Sequence, residues 1–288
     1  MARVNLFLIG AMKSGSTTLH EYLTQHSEIF MSEEKEPGFF VPELWKNRAV
    51  DEYEQLFSGA GEESYIGESS THYTKLPLFD GVVDRIKDYN ANAKFIYIMR
   101  HPIERTISHY FHSMRNMQGF GETRDILAAI AKEPIYTAYS DYAYQLTPYY
   151  NAFGRDNIFT LVFEEFKENP QKSLNAIYQW LEVAPFIHEH TGLRANTTPE
   201  VYTRASGKGW LNKLRHSASW GSISPLMPRK IKSLGVGLAE EKTAKKLSLE
   251  ERVQVYSTLN EVCAEKIAAL ELLTKRDYQI WRLDKPAR

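Results

Sequence analysis

Residues 10–18 read Gly10-Ala11-Met12-Lys13-Ser14-Gly15-Ser16-Thr17-Thr18, in which two glycines and one lysine stand among four hydroxyl side chains. Backbone N–H groups in such a loop, and in a helical turn that follows it, point at whatever lies in front of them. The helix dipole favours negative charge at the same place. Lys13 adds a point charge, Ser14, Ser16, Thr17 and Thr18 add donors, and Gly10 and Gly15 let backbone approach a ligand closely. The chemistry is oxyanion binding; taken alone, these residues fit a tight turn with a solvent-facing lysine equally well. A nucleotide triphosphatase loop would read G-x-x-x-x-G-K-[ST], with lysine after the second glycine. Here Lys13 precedes Gly15, and the later run Tyr97-Ile98-Met99-Arg100 ends on a cation where a magnesium-holding enzyme commonly offers an aspartate. Both departures point to direct anion binding without a metal.

Alternating strands and helices must position these residues. Short apolar runs at 4–9, 65–67, 95–99 and 158–163 read as buried parallel strands. Leu19, Tyr22 and Leu23 begin a helix behind the glycine loop. Pro102 opens another, with Ile103, Ile107, Tyr110, Phe111 and Met114 on one face. Asn169-Pro170 caps a third, whose stripe is Leu174, Ile177, Tyr178 and Leu181. Ser248-Leu249-Glu250-Glu251 is a capping box opening a long helix, with Val253, Tyr256, Leu259, Cys263, Ile267 and Leu270 expected inward. The pattern predicts an α/β protein with a central parallel sheet flanked by helices on both faces. No repeat or low-complexity linker divides it, so residues 1–288 read as one domain.

With 35 basic and 36 acidic side chains, the formal charge is −1, which excludes a protein whose whole surface binds nucleic acid. The single cysteine, Cys263, excludes an internal disulfide and a cysteine-based zinc site. No apolar run approaches the ~18–20 residues that span a bilayer, and the run at 4–9 is too short for a signal core. A soluble, cytoplasmic protein without a membrane span is expected. Its charge is unevenly spread. Residues 201–239 hold no Asp or Glu, but hold Arg204, Lys208, Lys213, Arg215, Arg229, Lys230 and Lys232. Glycines and prolines make much of this stretch loop. The region 201–246 is expected either as a solvated basic loop or as a lid over an anionic ligand.

The segment 7–18 resembles the 5′-phosphosulfate loop of sulfotransferases that use 3′-phosphoadenosine 5′-phosphosulfate (PAPS). The segment 95–110, with Arg100, Pro102, Arg105 and Ser108, resembles that family's 3′-phosphate motif. Lys35-Glu36-Pro37-Gly38-Phe39-Phe40 resembles the K-E-x-x-F-F element of its carbohydrate branch. Residues 142–165 and 249–281 resemble bacterial members, so the likeness runs through most of the chain in order. It implies a P-loop-like three-layer fold and sulfonate transfer from PAPS, as co-substrate, to a hydroxyl or amine, releasing adenosine 3′,5′-bisphosphate with no metal required.

The resemblance also assigns roles. Lys13 would stabilise the bridging oxygen, while Ser14, Gly15, Ser16, Thr17 and Thr18 would hold the 5′-phosphate. Arg100 and Ser108 would hold the 3′-phosphate; Arg105 reads as a brace for the fold. Arg204, Lys208 and Gly209 resemble the loop that closes over the 3′-phosphate. The general base is Glu36, its pKa raised by the Pro37-Phe39-Phe40 wall, or His72, just beyond the second strand. Heparan-type enzymes carry a lysine after the glutamate of that strand; here Ser69 follows Glu68, so Lys35 or Lys75 must supply the cation, if any does. The acceptor is open among a small alcohol or phenol, a glycan and a carrier-tethered acyl chain. A small-molecule kinase using ATP and magnesium, or a non-catalytic nucleotide-binding protein, are the alternatives. Elsewhere, His109 and His112 lack the partners of a metal site, and His188 and His190 read as solvated. Cys263 reads as a core thiol. The tyrosines from Tyr136 to Tyr150 read as partly core, and could also line an acceptor pocket.

Overall fold

The computed structural model describes residues 3–45, 49–114, 122–189, 201–205, 240–244 and 246–282. Five strands, β1 Leu6–Gly10, β2 Ile29–Met31, β3 Tyr65–Ser69, β4 Lys94–Met99 and β5 Ile158–Val162, form one sheet in the order β2-β3-β1-β4-β5. Every pairing in it is parallel; Leu6 stands opposite Gly67 on one side and Lys94 on the other. Successive side chains of a strand point to opposite faces, and the two faces are filled from different helices. Phe7, Ile9, Phe95, Tyr97 and Met99 pack on one side, against α2 Val82–Tyr89, α4 Tyr142–Phe153 and the end of a long helix, Leu249–Thr274. Leu6, Leu8, Ile96 and Ile98 pack on the other, against α1 Ser16–Leu23 and a helix at Pro170–Leu181. Each fully buried Leu, Ile or Phe contributes about 1.5–3 kcal/mol. The expected three-layer α/β fold with its parallel sheet is therefore what the chain forms.

In chain order the remaining long helices are α3 Pro102–Met114, α5 Pro170–Leu181 and α6 Leu249–Thr274. Pro102 opens α3, the Asn169 side chain accepts from the Lys172 N–H at the start of α5, and Ser248 with Glu251 completes the capping box of α6. A smaller core joins α3 to α6 through Ile103, Ile107, Tyr110, Val255, Tyr256, Leu259 and Cys263.

Two points differ from the sequence expectation, and a third adds to it. Ile29–Met31 is an edge strand that the sequence reading passed over, because three residues carry no legible alternation. Val253 is 46% exposed, whereas Val255 is buried; at 100° per residue, the turn before Tyr256 presents Arg252 toward α3 instead. The basic stretch begins as structure: β6 Val201–Ala205 pairs antiparallel with β7 Glu240–Ala244, and β6 runs beside α3. Most of the expected lid, 206–239, lies outside the described residues.

Candidate active site

β1 ends at Gly10, at the carboxyl edge of the sheet, where α/β proteins place their ligands. Gly10 (φ +148°) and Gly15 (φ +93°) occupy backbone conformations that L side chains rarely adopt. A Cβ on Gly10 would collide with Thr74 Oγ1 and lie 2.7 Å from the Tyr97 ring; one on Gly15 would lie 2.7 Å from Phe163. These glycines thus answer to close packing within the protein, where the sequence suggested close approach of a ligand. Gly15 caps α1, and the N–H groups of Ser16, Thr17 and Thr18 have no acceptor inside the helix. No acidic side chain stands in that turn, so the dipole there is not offset. Lys13 sits in the same loop, half-buried with φ +69°, and Ser14 is buried beneath it.

The β3 side of β1 brings Glu36 and His72 together. The turn after β3 lies on the glycine loop: Ser70 N–H donates to Leu8 O (3.1 Å) and Thr74 Oγ1 to Ile9 O (2.5 Å). From that turn Thr71 donates its N–H to Glu36 Oε2 (2.8 Å) and its hydroxyl to Oε1 (3.1 Å). Lys35 Nζ is 2.9 Å from Oε1. His72 Nδ1 lies 3.1 Å from Oε2, within ion-pair range though off the line of a hydrogen bond. Burial alone would raise the Glu36 pKa, but the His72 contact and the Lys35 charge outweigh it and hold the carboxyl at about 2. The expected upward shift is thus reversed. The reason is the charge placed around the carboxylate, since Lys35 and His72 both lie within 3.1 Å of its oxygens, while Phe39 stacks on Tyr53 at 4.3 Å and Phe40 packs among Phe7, Tyr53 and Tyr73.

Behind this pair stands Glu68, for which the sequence predicts no role. Glu68 is fully buried and accepts from three hydroxyls, Tyr53 (2.9 Å), Tyr73 (2.6 Å) and Ser70 (2.6 Å). Burial raises its pKa to about 7. Ser70 in turn accepts the Gly38 N–H at 3.0 Å, so the carboxylate ties the 36–38 loop to the 70–73 turn. A lone acid inside the apolar run Tyr65-Ile66-Gly67-Glu68 was the signal available. The position after Glu68 is taken by Ser69, whose Oγ is 2.7 Å from His20 Nδ1. Lys35 pairs with Glu36, and Lys75 is a half-buried amine whose pKa falls to about 8 through desolvation, countered by Glu36. Both candidate cations therefore lie in the field of Glu36.

On the β4 side, Arg100 follows the strand end. Its carbonyl accepts the Tyr142 hydroxyl (2.6 Å), its guanidinium lies 5.4 Å from the Phe163 ring, and Nη2 is 3.6 Å from Glu104 Oε2. Arg100 stands two residues before α3, while Glu104 and Ser108, four residues apart, share one face of that helix. Arg105 is fully buried and donates to Ser140 Oγ and Tyr136 O, which is the bracing role expected of it. Arg204 lies on β6, while Lys208, Gly209 and His190 are outside the described residues. His188 is a correction. It is 4% exposed, with Nε2 2.7 Å from the Tyr178 hydroxyl and Nδ1 3.1 Å from Gln25 Oε1, because the 183–189 segment folds back over α1 and α5. His109 is buried against Tyr139 (5.5 Å) and Cys263 is a buried thiol in the α3–α6 core. Of the tyrosines, Tyr136, Tyr139, Tyr142 and Tyr149 are core, whereas Tyr144 is 47% exposed.

Residues 53–187 match the family model described as "Sulfotransferase family". A membrane-associated sulfotransferase of Dictyostelium discoideum is 31% identical over 116 residues, 38% of this chain. The chain spans only 23% of the length of that relative. The crystal structure of a sulfotransferase from Alicyclobacillus acidocaldarius superposes with a TM-score of 0.70 at 24% identity, covering 98% of this chain and 100% of that one. A mouse sulfotransferase solved with PAP bound gives a TM-score of 0.45 at 17% identity over 65% of this chain and 61% of that one. No described helix is long and apolar enough to cross a membrane. Residues 53–187 are thus similar to the sulfotransferase family model, and the chain shares its fold with a solved bacterial sulfotransferase.

Proposed function

We propose that the chain transfers a sulfonate group from PAPS to the hydroxyl or amine of an acceptor, releasing adenosine 3′,5′-bisphosphate. The observation that carries this reading is the layout around Gly10: an anion-binding loop and helix start in contact with the turn that bears His72 and holds Glu36. The first-turn N–H groups and the hydroxyls of Ser14, Ser16, Thr17 and Thr18 suit the 5′-phosphate, and Arg100 with Ser108 suits the 3′-phosphate. In the transfer, the bond from sulfur to the acceptor oxygen forms as the bond from sulfur to the phosphate oxygen breaks. Lys13 stabilises the charge left on that phosphate oxygen. The acceptor's proton goes to His72 Nε2, with Glu36 beside Nδ1 to orient the ring and stabilise the imidazolium. The carboxylate alone, with its pKa at about 2, is a weak base. Small alcohols, glycans and carrier-tethered chains are the acceptors to screen, and cytoplasmic action is part of the reading.

Thermal shift is the first test. Adenosine 3′,5′-bisphosphate without magnesium should raise the midpoint. A rise with ATP and magnesium only would replace this reading with that of a kinase. Transfer of label from PAPS to any acceptor in the panel then establishes catalysis.

A further inference from the structure

The face of α3 that would meet the 3′-phosphate carries a problem. Glu104 stands one turn beyond Arg100, and a carboxylate there repels a phosphate and competes for the same guanidinium. The C-terminal helix supplies the answer. Glu104 Oε1 accepts from the Arg252 guanidinium and from the Tyr256 hydroxyl (2.7 Å), leaving only Oε2, at 3.6 Å, to Arg100. Arg252 lies 5.6 Å from the Tyr256 ring, which holds the two together. The same end of the molecule also fixes the backbone that leaves β4. The Tyr256 ring lies tilted 5.7 Å from His101, His101 Nε2 is 3.1 Å from Trp281 O, and Glu164 accepts both the His101 N–H and the Trp281 indole N–H at 3.0 Å.

We infer that Arg252 belongs to the donor-nucleotide site as a positioning residue: it neutralises Glu104, so that Arg100 is released for the 3′-phosphate. This rests on the PAPS reading. Glu104 and Arg252 are 18% and 26% exposed, and a charge pair so placed is only partly screened by water. Losing one partner leaves the other's charge at the mouth of the site.

Calorimetric titration with adenosine 3′,5′-bisphosphate tests it without any knowledge of the acceptor. Arg252→Gln should weaken binding ~10-fold or more, and Arg252→Lys by less. Glu104→Gln should bind at least as tightly as the parent, and in that background Arg252→Gln should change affinity by no more than ~2-fold. The contrast between Glu104→Gln and the double variant decides the matter even where Arg252→Gln alone fails to fold. Unchanged affinity in Arg252→Gln, or a double variant as weak as the single one, overturns the inference and leaves the sulfotransferase reading standing. A parent protein that does not bind the nucleotide overturns both.

Discussion

At the scale of single residues, Glu36 is saturated: Lys35, Thr71 and His72 surround its two oxygens at 2.8–3.2 Å. A carboxylate held this way orients a neighbour better than it takes a proton. His72→Asn should therefore lower kcat by ~10²-fold or more, with adenosine 3′,5′-bisphosphate affinity within ~3-fold of the parent. Glu36→Gln should cost less, ~10-fold, because the imidazole remains. Single-turnover rates alongside calorimetry check this, and an inactive Glu36→Gln beside an active His72→Asn would reverse the assignment. Lys13→Met should lower kcat by ~10²-fold through lost charge stabilisation, measured in the same assay. Lys13, Glu36 and His72 stood out in the sequence through the short motifs that carry them, whereas the 3.1 Å approach of His72 to Glu36 joins segments 36 residues apart. The downward shift at Glu36 did not stand out, since it depends on a turn 35 residues away.

At the scale of elements, the 36–38 loop and the 70–73 turn are joined through Glu68 and Ser70. Glu68→Gln replaces one acceptor oxygen with an amide donor facing three hydroxyls. It should destabilise the fold by about 1–3 kcal/mol in denaturant titration. If the relay also sets Glu36, kcat falls in the surviving fold while nucleotide affinity holds. The long strands and capped helices were readable from apolar runs and from Asn169, Ser248 and Pro102. What escaped were the elements defined by pairing partners: β2, with three residues, and the β6–β7 ribbon, whose strands lie 34 residues apart in sequence. Val253 misled for a similar reason. Hydrophobicity proposed it for the buried stripe, but the stripe's geometry belongs to Arg252, a charged residue whose partner is on α3.

At the scale of the whole molecule, burial makes stability depend on pH. His20 and His109 are buried, and their pKa values fall to about 4 and about 2, chiefly through desolvation. Below pH ~6.5 the unfolded chain takes up protons that the native state refuses, so stability drops as the solution is acidified. Glu36 adds a second loss below pH ~4.5, since its folded pKa is about 2. Glu68 acts oppositely: its raised pKa means that protonation between about 7 and 4.5 favours the fold. Two histidines against one carboxyl give a net loss. Denaturant titrations between pH 7 and 4 should show it, and His109→Gln should flatten the slope by up to about 1.4 kcal/mol per pH unit. A slope unchanged by that substitution would contradict the buried neutral histidine. Apart from its edge strand β2, the parallel sheet was legible, because alternating apolar runs and helices leave few other architectures.

The contact between Gly10 and Thr74 carries a consequence for how this protein can diverge. With no side chain at position 10, the anion loop and the His72 turn abut directly, and both hang from the ends of adjacent strands. Their separation is thus fixed by the 4.8 Å grid of the sheet, not by the length of any loop. Substitutions can reshape the walls around that gap, but the distance across it is inherited with the fold.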